Sequence, residues 1–589
     1  MFPPLMLSSI GLVLALCWSL PFNLVWHTYP ISTFYAESLA FFLWAVLVGL
    51  LVIAVGQRDR QLLQPPRAVL APLGFIAVLM LQLWLLPLTQ PLMVVIGVLY
   101  GLAMITAMHA GFWASRLGWR AVLMRWSAYA LVAGGLFSVF CLFVQAARLE
   151  AHFSWVVAQF TGVQERRLFA NMYQPNHVAT YLSFGCAATL YLWHLRRIRW
   201  PVWLLTTLLL CAGQALTVSR TPWVQVVVIA AFGLWLGRDE FQPRRVPPRR
   251  AARWLVPLSL PVMLAVATQG VLWLNDRFAW QLAGTAIERF GEHSQIVGRL
   301  AIWRYALAIF FRHPWLGGGW GEFINQQFLL ADHLGSVEMA NNAHNVVLDV
   351  LAKTGLTGAL LILVPLLFWL WRALRSTCDA PGVFALLLIG VLSVHAMLEY
   401  PQQYAFFLLP VMFLIGFTEP RTLLRVKPDI TWGFHVGVVI SAMAVLGYLY
   451  QDYQRVEVAY EAGRIEAYRQ HPARFFTSYG DYAVTESLVL DSNQLDAKIA
   501  AHRQALTLGA SNVLIERYVV LLALAGRDES ALLNVARLKS LAGAAFAMEY
   551  RNLLRLCRAQ GDRLQPFVRQ LEQRYGTPPS AKRSSAAPG

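Results

Sequence analysis

The chain has 589 residues, of which 58% are hydrophobic and 13% charged. Its mean hydropathy is +0.52, and its apolar runs are long enough to cross a bilayer again and again, which excludes an ordinary soluble enzyme. The net charge of +17 would suggest a nucleic-acid partner in a soluble protein, but here much of the arginine falls in short loops between apolar runs, so nucleic acid is discounted.

The first apolar stretch, "MFPPLMLSSIGLVLALCW", lacks a basic leader and an A-x-A cleavage site, and so reads as a retained first span. About 13 spans are predicted, over residues 5–23, 35–56, 68–86, 91–112, 126–147, 177–194, 202–218, 221–237, 254–274, 356–374, 382–398, 403–418 and 432–450. The expected fold is therefore an all-α polytopic membrane protein. Basic loops such as "QRDRQLLQPPR", "HLRRIRW" and "EPRTLLRVKPD" fall at alternate connections, while 21–34, 87–90 and 399–402 hold no Lys or Arg. The positive-inside rule then puts the N-terminus in the cytoplasm. An odd number of spans puts loops 148–176 and 275–355, and everything after 450, outside.

The domain expectation follows: a transmembrane unit over 1–450, an outer helical domain over 451–576 and a disordered tail over 577–589. Within loop 275–355, "GRLAIWRYALAIFF" repeats apolar residues at helical spacing and stops at "RHPWLGGGWGEF", which suggests a helix packed at the membrane surface. The segment after 450 is rich in Ala, Leu and Arg with helical periodicity, suggesting paired antiparallel helices similar to tetratricopeptide units, although no strict repeat emerges. The six cysteines are scattered and show neither a disulfide framework nor a C-x-x-C metal pattern.

Four polar features stand out on the outer side. "NMYQPNHVATYL" crowds Gln174, Asn176 and His177 at the mouth of the sixth span, where Gln174 either caps the helix or meets substrate. "LTVSRTPW" puts Arg220 in a tight turn at membrane depth, where it either snorkels or meets an anion. Arg299 lies on the loop helix, and "NNAHN" carries His344; both precede "HAMLEYPQQY", which holds Glu399 and Tyr400. Taken singly, each has an ordinary structural reading. Taken together, two arginines can hold a diphosphate by bidentate hydrogen bonds without a divalent metal, and a histidine that titrates near neutrality can take a proton from an attacking hydroxyl. That combination implies group transfer from a phosphate-activated, membrane-borne donor to an alcohol.

The loop "GRLAIWRYALAIFFRHPWLGGGWGEF" with "NNAHNVVLDVLAKTGLTGALL" resembles the signature of the O-antigen ligase/polymerase (Wzy-C) superfamily. "YQPNHVATYLSFG" and the helical extension after the last span look like the pilin-glycosylation ligases, the bacterial protein O-oligosaccharyltransferases of PglL type. The resemblance implies a multi-pass protein of the bacterial inner membrane with a periplasmic active site and C-terminal domain. The implied donor is an undecaprenyl-diphosphate-linked oligosaccharide, moved en bloc to a Ser or Thr hydroxyl of a pilin or other periplasmic protein with no metal or other cofactor. Residue by residue, it implies His344 as the catalytic histidine, Arg220 and Arg299 as diphosphate ligands, and Gln174 and Tyr400 as substrate-binding groups. Asn176, His177 and Glu399 are further candidates for substrate binding.

Two rivals stay open. Transfer to lipid A-core, or to another glycan as in a Wzy-type polymerase, would use the same donor with a different acceptor. A transporter of lipid-linked sugar would use outer arginines to escort a diphosphate, but the expected inverted repeats of broken helices and intramembrane carboxylate chains are not visible.

Overall fold

A computed structural model describes residues 4–160, 166–238, 241, 251–283 and 293–577. The expected tail from 578, most of the basic loop 239–250 and part of the outer loop, 284–292, lie outside the described residues. Among the described residues the secondary structure is helical, with isolated β-bridges only.

The first half runs through α1 (Pro4–Cys17), α2 (Leu20–Asn23), α3 (Phe34–Arg58), α4 (Leu70–Leu85), α5 (Pro91–Arg116) and α6 (Arg120–Ala146). After the loop to residue 174 come α7 (Pro175–His194), α8 (Trp200–Leu216), α9 (Thr221–Leu236) and α10 (Ala252–Phe278). The long stretch that follows supplies α11 (His293–Arg312) and α12 (Phe323–Leu334). The bundle closes with α13 (Val346–Ser376), α14 (Ala380–Ala396), α15 (Ala405–Thr418) and α16 (Pro428–Tyr460). Among the described residues nine helical stretches are long and apolar enough to cross a membrane, eight of them on predicted spans. The other predicted spans are α7 and the shorter apolar helices α8, α9, α14 and α15.

The ninth stretch, Asp528–Arg558, lies outside the predicted spans. It divides into the C-terminal helices α21 and α22, which turn at Gly543 (φ +52) and bury Val535, Leu538, Leu553 and Leu554 in a core shared with Phe328. After α16 the chain continues through α17 (Ile465–Gln470), α18 (Thr477–Ser487), α19 (Leu495–Leu508), α20 (Asn512–Leu524), α21 (Asp528–Ala542), α22 (Phe546–Arg558) and α23 (Gln565–Tyr575). From α18 onward each helix packs against its successor.

Helix α14 shows how the bundle is ordered. Before it, Asp379 takes Arg120 by two charge-assisted hydrogen bonds of 2.6 and 2.8 Å, beside Arg116 on the Pro420 carbonyl. The same end gathers the Arg372–Glu419 pair and the Pro66–Thr422 bridge, so the arginine-rich loops meet one another. After α14 comes Glu399, at the opposite end, where the segments carrying Asn176, Arg299 and His344 converge. Within the bundle α5 and α15 cross so closely that a Cβ on Gly111 would strike the Phe413 carbonyl, and one on Gly416 the Met108 carbonyl.

Helix α13 begins ten residues before the predicted span at 356. Asn345 caps it, accepting from the backbone N–H groups of Val347 and Leu348. The helix breaks at Gly355 (φ +64), where the "WLGGG" turn docks: Leu356 N–H donates to the Pro314 carbonyl and Gly318 N–H to the Ala352 carbonyl. Hydropathy missed this first segment because it carries Asp349 and Lys353. Both are buried and paired at 2.9 Å.

Candidate active site

Four chain segments meet beyond the ends of α7, α9 and α14. Their centre is the Glu399 carboxylate, 5% exposed as a residue. Its Oε2 lies 2.8 Å from Nδ1 of His344, and its Oε1 accepts from Nη2 of Arg299 at 2.7 Å and from Nδ2 of Asn176 at 2.9 Å. Burial pushes the Glu399 carboxyl up, but the hydrogen bond and charge of His344, joined by the charge of Arg299, outweigh burial and bring it down to about 2. Glu399 is therefore ionised and can only accept. His344 therefore donates Nδ1–H to it both as the imidazolium whose charge lowers Glu399 and as the neutral ring, and Nε2 carries a lone pair in the neutral form only.

The backbone holds His344 in an uncommon state. Its φ is +49, a left-handed conformation that non-glycine residues rarely adopt. The surroundings fix it from both sides. Its N–H donates to Asn342 Oδ1 at 3.2 Å, the preceding Ala343 N–H donates to the buried Asp349 carboxylate at 2.9 Å, and Asn345 Nδ2 reaches the Met397 carbonyl at 3.1 Å. The last bond ties the His344 loop to the segment that carries Glu399. The Tyr400 ring stands edge-on to the imidazole, with centroids 4.9 Å apart. The His344 side chain stays 23% exposed and Arg299 36%, while Glu399 beneath them is closed off, so the histidine and arginine form the accessible layer.

The remaining predicted residues divide. Asn176 is a junction: besides donating to Glu399, its Oδ1 accepts from Ser219 Oγ at 2.7 Å and from Arg167 at 3.2 Å. Arg220 follows Ser219 directly and sits at the N-terminal boundary of α9, so the Ser219–Asn176 bond draws its turn toward the cluster. Gln174 caps α7, accepting from Asn176 N–H and His177 N–H at 2.5 and 3.0 Å. His177 is buried behind the cluster, its ring 4.6 Å from that of Tyr404 and 5.4 Å from that of His395.

Sequence reasoning passed over Arg167, Asp349 and His395. Asp349 carried a signal, since a carboxylate and Lys353 spaced one helical turn apart in an apolar stretch mark a buried pair. Arg167 and His395 carried none, because their places depend on how separate loops meet.

Three family profiles match in succession, and together they take in Asn176, Ser219, Arg220, Arg299, His344 and Glu399. "Protein glycosylation ligase" matches residues 168–193, "O-Antigen ligase" matches 205–363, and "Virulence factor membrane-bound polymerase, C-terminal" matches 383–549. The chain is 25% identical to the "General O-oligosaccharyltransferase" of Acinetobacter baylyi over 470 residues, 77% of each chain. It is 24% identical to the "ComP-specific O-oligosaccharyltransferase" of the same organism over 265 residues, 45% of this chain and 46% of that one. By these similarities the chain is a relative of the O-oligosaccharyltransferases with O-antigen ligase and protein glycosylation ligase segments, and a glycosyltransferase.

Proposed function

We propose that the protein transfers an oligosaccharide en bloc from undecaprenyl diphosphate to Ser or Thr hydroxyls of pilin-like or other periplasmic proteins, at the outer face of the bacterial inner membrane. The observation that carries this reading is the His344–Glu399–Arg299 array, which puts a histidine of fixed tautomer beside an accessible arginine in a chain similar to O-oligosaccharyltransferases. In the reaction the acceptor oxygen forms a bond to the anomeric carbon as the bond from that carbon to the phosphate oxygen breaks. The hydroxyl proton passes to Nε2 of His344, and the bonding pair leaves on the undecaprenyl diphosphate. Direct displacement inverts the anomeric configuration.

Arg299 and Arg220 stabilise the charge that grows on the departing diphosphate. A guanidinium is always charged and presents a planar fork of five donors, which suits phosphate oxygens in a site partly shielded from water. Among the described residues Arg299 has Glu399 as its one hydrogen-bond partner, so the rest of its fork can serve a phosphate. Glu399 holds the histidine and stabilises the imidazolium that forms, as a carboxylate partner does for a general-base histidine elsewhere. Tyr400, edge-on to the imidazole, would contact the sugar or the acceptor, and the buried Asn176 would hold Glu399 and the Ser219 turn together beneath it. The C-terminal helices, paired in the manner of tetratricopeptide units, form a periplasmic domain of the same enzyme.

The test is reconstitution with undecaprenyl-diphosphate oligosaccharide and a choice of pilin or lipid A-core, read by mass. Glycan added to the pilin is the expected result. Transfer to lipid A-core alone would replace this acceptor with that of the ligases.

A further inference from the structure

The C-terminal domain reaches the loop that carries His344, and it does so through a chain of contacts that begins at α12. Phe328 of α12 is 5% exposed and belongs to the core of the C-terminal domain, packed among residues of α19 to α23. Four residues later Asp332 pairs with Arg537 of α21 at 3.4 Å, with both side chains largely buried and the guanidinium 5.1 Å over the Phe328 ring. The other end of α12 is also held. The Glu322 carboxylate accepts from the backbone N–H groups of Thr89 and Gln90 at 2.6 and 2.9 Å. That α4–α5 connection is bonded in turn to α19, by Gln504 Nε2 on the Thr89 carbonyl at 2.9 Å and by Gln90 Nε2 on Thr507 Oγ1 at 2.8 Å.

Beyond α12 the chain turns at Gly335, whose carbonyl accepts from Tyr305 of α11 at 2.7 Å, and runs to His344. Leu541, near the end of α21, packs against the small core that contains Val337, Ala343 and Ala352 together with Ile302 and Tyr305 of α11. Ala343 is the residue before His344, and α11 is the helix of Arg299. A Cβ placed on Gly543, whose φ is +52, would stand 2.8 Å from Ser336 Oγ, so the turn after α21 lies directly on the same stretch.

We infer that the C-terminal helical domain positions the His344 loop, with Arg537 and Leu541 as positioning residues that act through α12 and Ala343. The inference rests on the role proposed above for His344. The physical reason is the left-handed backbone at that residue. Such a state persists only where its surroundings over-determine it, and the C-terminal domain supplies part of those surroundings. Arg537 and Leu541 touch neither the Glu399 cluster nor a substrate, so their loss should misplace the base without removing a ligand group.

The experiment uses the full-length protein in proteoliposomes, with undecaprenyl-diphosphate oligosaccharide and pilin, and compares Arg537→Ala, Arg537→Lys and Leu541→Ala with wild type and His344→Ala. For Arg537→Ala and Leu541→Ala, kcat should fall roughly 10- to 100-fold while both KM values stay near wild type, the pattern of a misplaced catalytic group. Arg537→Lys, which keeps the charge opposite Asp332, should recover most of the rate. Hydrogen exchange gives a readout independent of turnover: the amides of residues 336–344 should exchange faster in both variants, while those of the bundle helices stay as in wild type. A raised acceptor KM with unchanged kcat would overturn the inference in favour of acceptor docking. So would wild-type kcat with unchanged exchange at 336–344. The His344→Ala arm separates the two readings, because transfer by that variant sinks the base assignment, whereas its silence beside fully active Arg537→Ala and Leu541→Ala sinks only the positioning role.

Discussion

Glu399 accepts the Nδ1 proton of His344 at 2.8 Å across 55 residues of chain, and the same carboxylate holds Arg299 at 2.7 Å. One buried anion thus fixes both the tautomer of the histidine and the place of the arginine. Its own neutralisation comes from those partners, so each of the three depends on the other two.

Glu399→Gln tests the first half of that dependence. The amide keeps the size but can also donate, so Nδ1–H loses its obligate acceptor and the ring can adopt the other tautomer. We expect kcat to fall by no more than the ~10²–10⁴-fold of losing the base outright. Glu399 itself stays ionised over the ordinary pH range. Its carboxyl is held at about 2 against an ordinary 4.5, so its stabilising pair with His344 and Arg299 is complete above the ordinary value and is lost only as pH falls toward 2. A Gln variant with wild-type kcat would remove Glu399 from the mechanism.

Arg299→Lys tests the fork. Lysine retains the charge opposite Glu399 but cannot offer two parallel N–H groups to a phosphate. Losing one charge-assisted bond of ~1.5–3 kcal/mol corresponds to a kcat/KM for the donor lowered roughly 10- to 100-fold. Initial rates at varied donor concentration measure it, and an unchanged kcat/KM would show that Arg299 serves Glu399 rather than the diphosphate.

The helices and the grouping of arginine-rich loops at one end were legible because hydropathy and charge are local signals. Glu399 was visible as a polar residue near a membrane-helix end, but its centrality was not, since it depends on Asn176, Arg299 and His344 arriving from three other segments. The α13 boundary was misplaced for a comparable reason. Asp349 and Lys353 read as polar loop when counted singly, yet their 2.9 Å pairing lets both enter a helix. The contact between Arg537 and Asp332 spans 205 residues and left no trace in composition.

The Asp349–Lys353 pair carries a stability prediction. Asp349 also accepts from Ala343 N–H, so Asp349→Ala strands a buried ammonium and an amide next to the His344 loop. Breaking a buried pair on one side costs about 3–5 kcal/mol, whereas replacing both partners by apolar groups is often close to neutral. Thermal unfolding in detergent should place Asp349→Ala well below Asp349→Leu/Lys353→Met. Equal losses in the two variants would mean that the Ala343 bond, and not the charge, carries the effect.

The C-terminal domain should weaken with rising pH through Glu516. Burial first, and then the neighbouring Glu549, push its carboxyl up to about 8 from an ordinary 4.5. For an acid whose folded value lies above its unfolded one, the native state holds the extra proton between those values. The slope of stability with pH is therefore negative across that window, and the contribution present near pH 4.5 is lost as pH rises toward 8. The geometry agrees: Glu516 is 3% exposed, and its Oε1 has no hydrogen-bond partner among the described residues. Glu516→Gln removes the titration while keeping the shape. Hydrogen exchange of α20 and α22, followed from pH 5 to 8, should rise in wild type beyond the intrinsic pH dependence of exchange and stay flat in the variant after the same correction. A wild-type slope retained in Glu516→Gln would assign the pH response to another group.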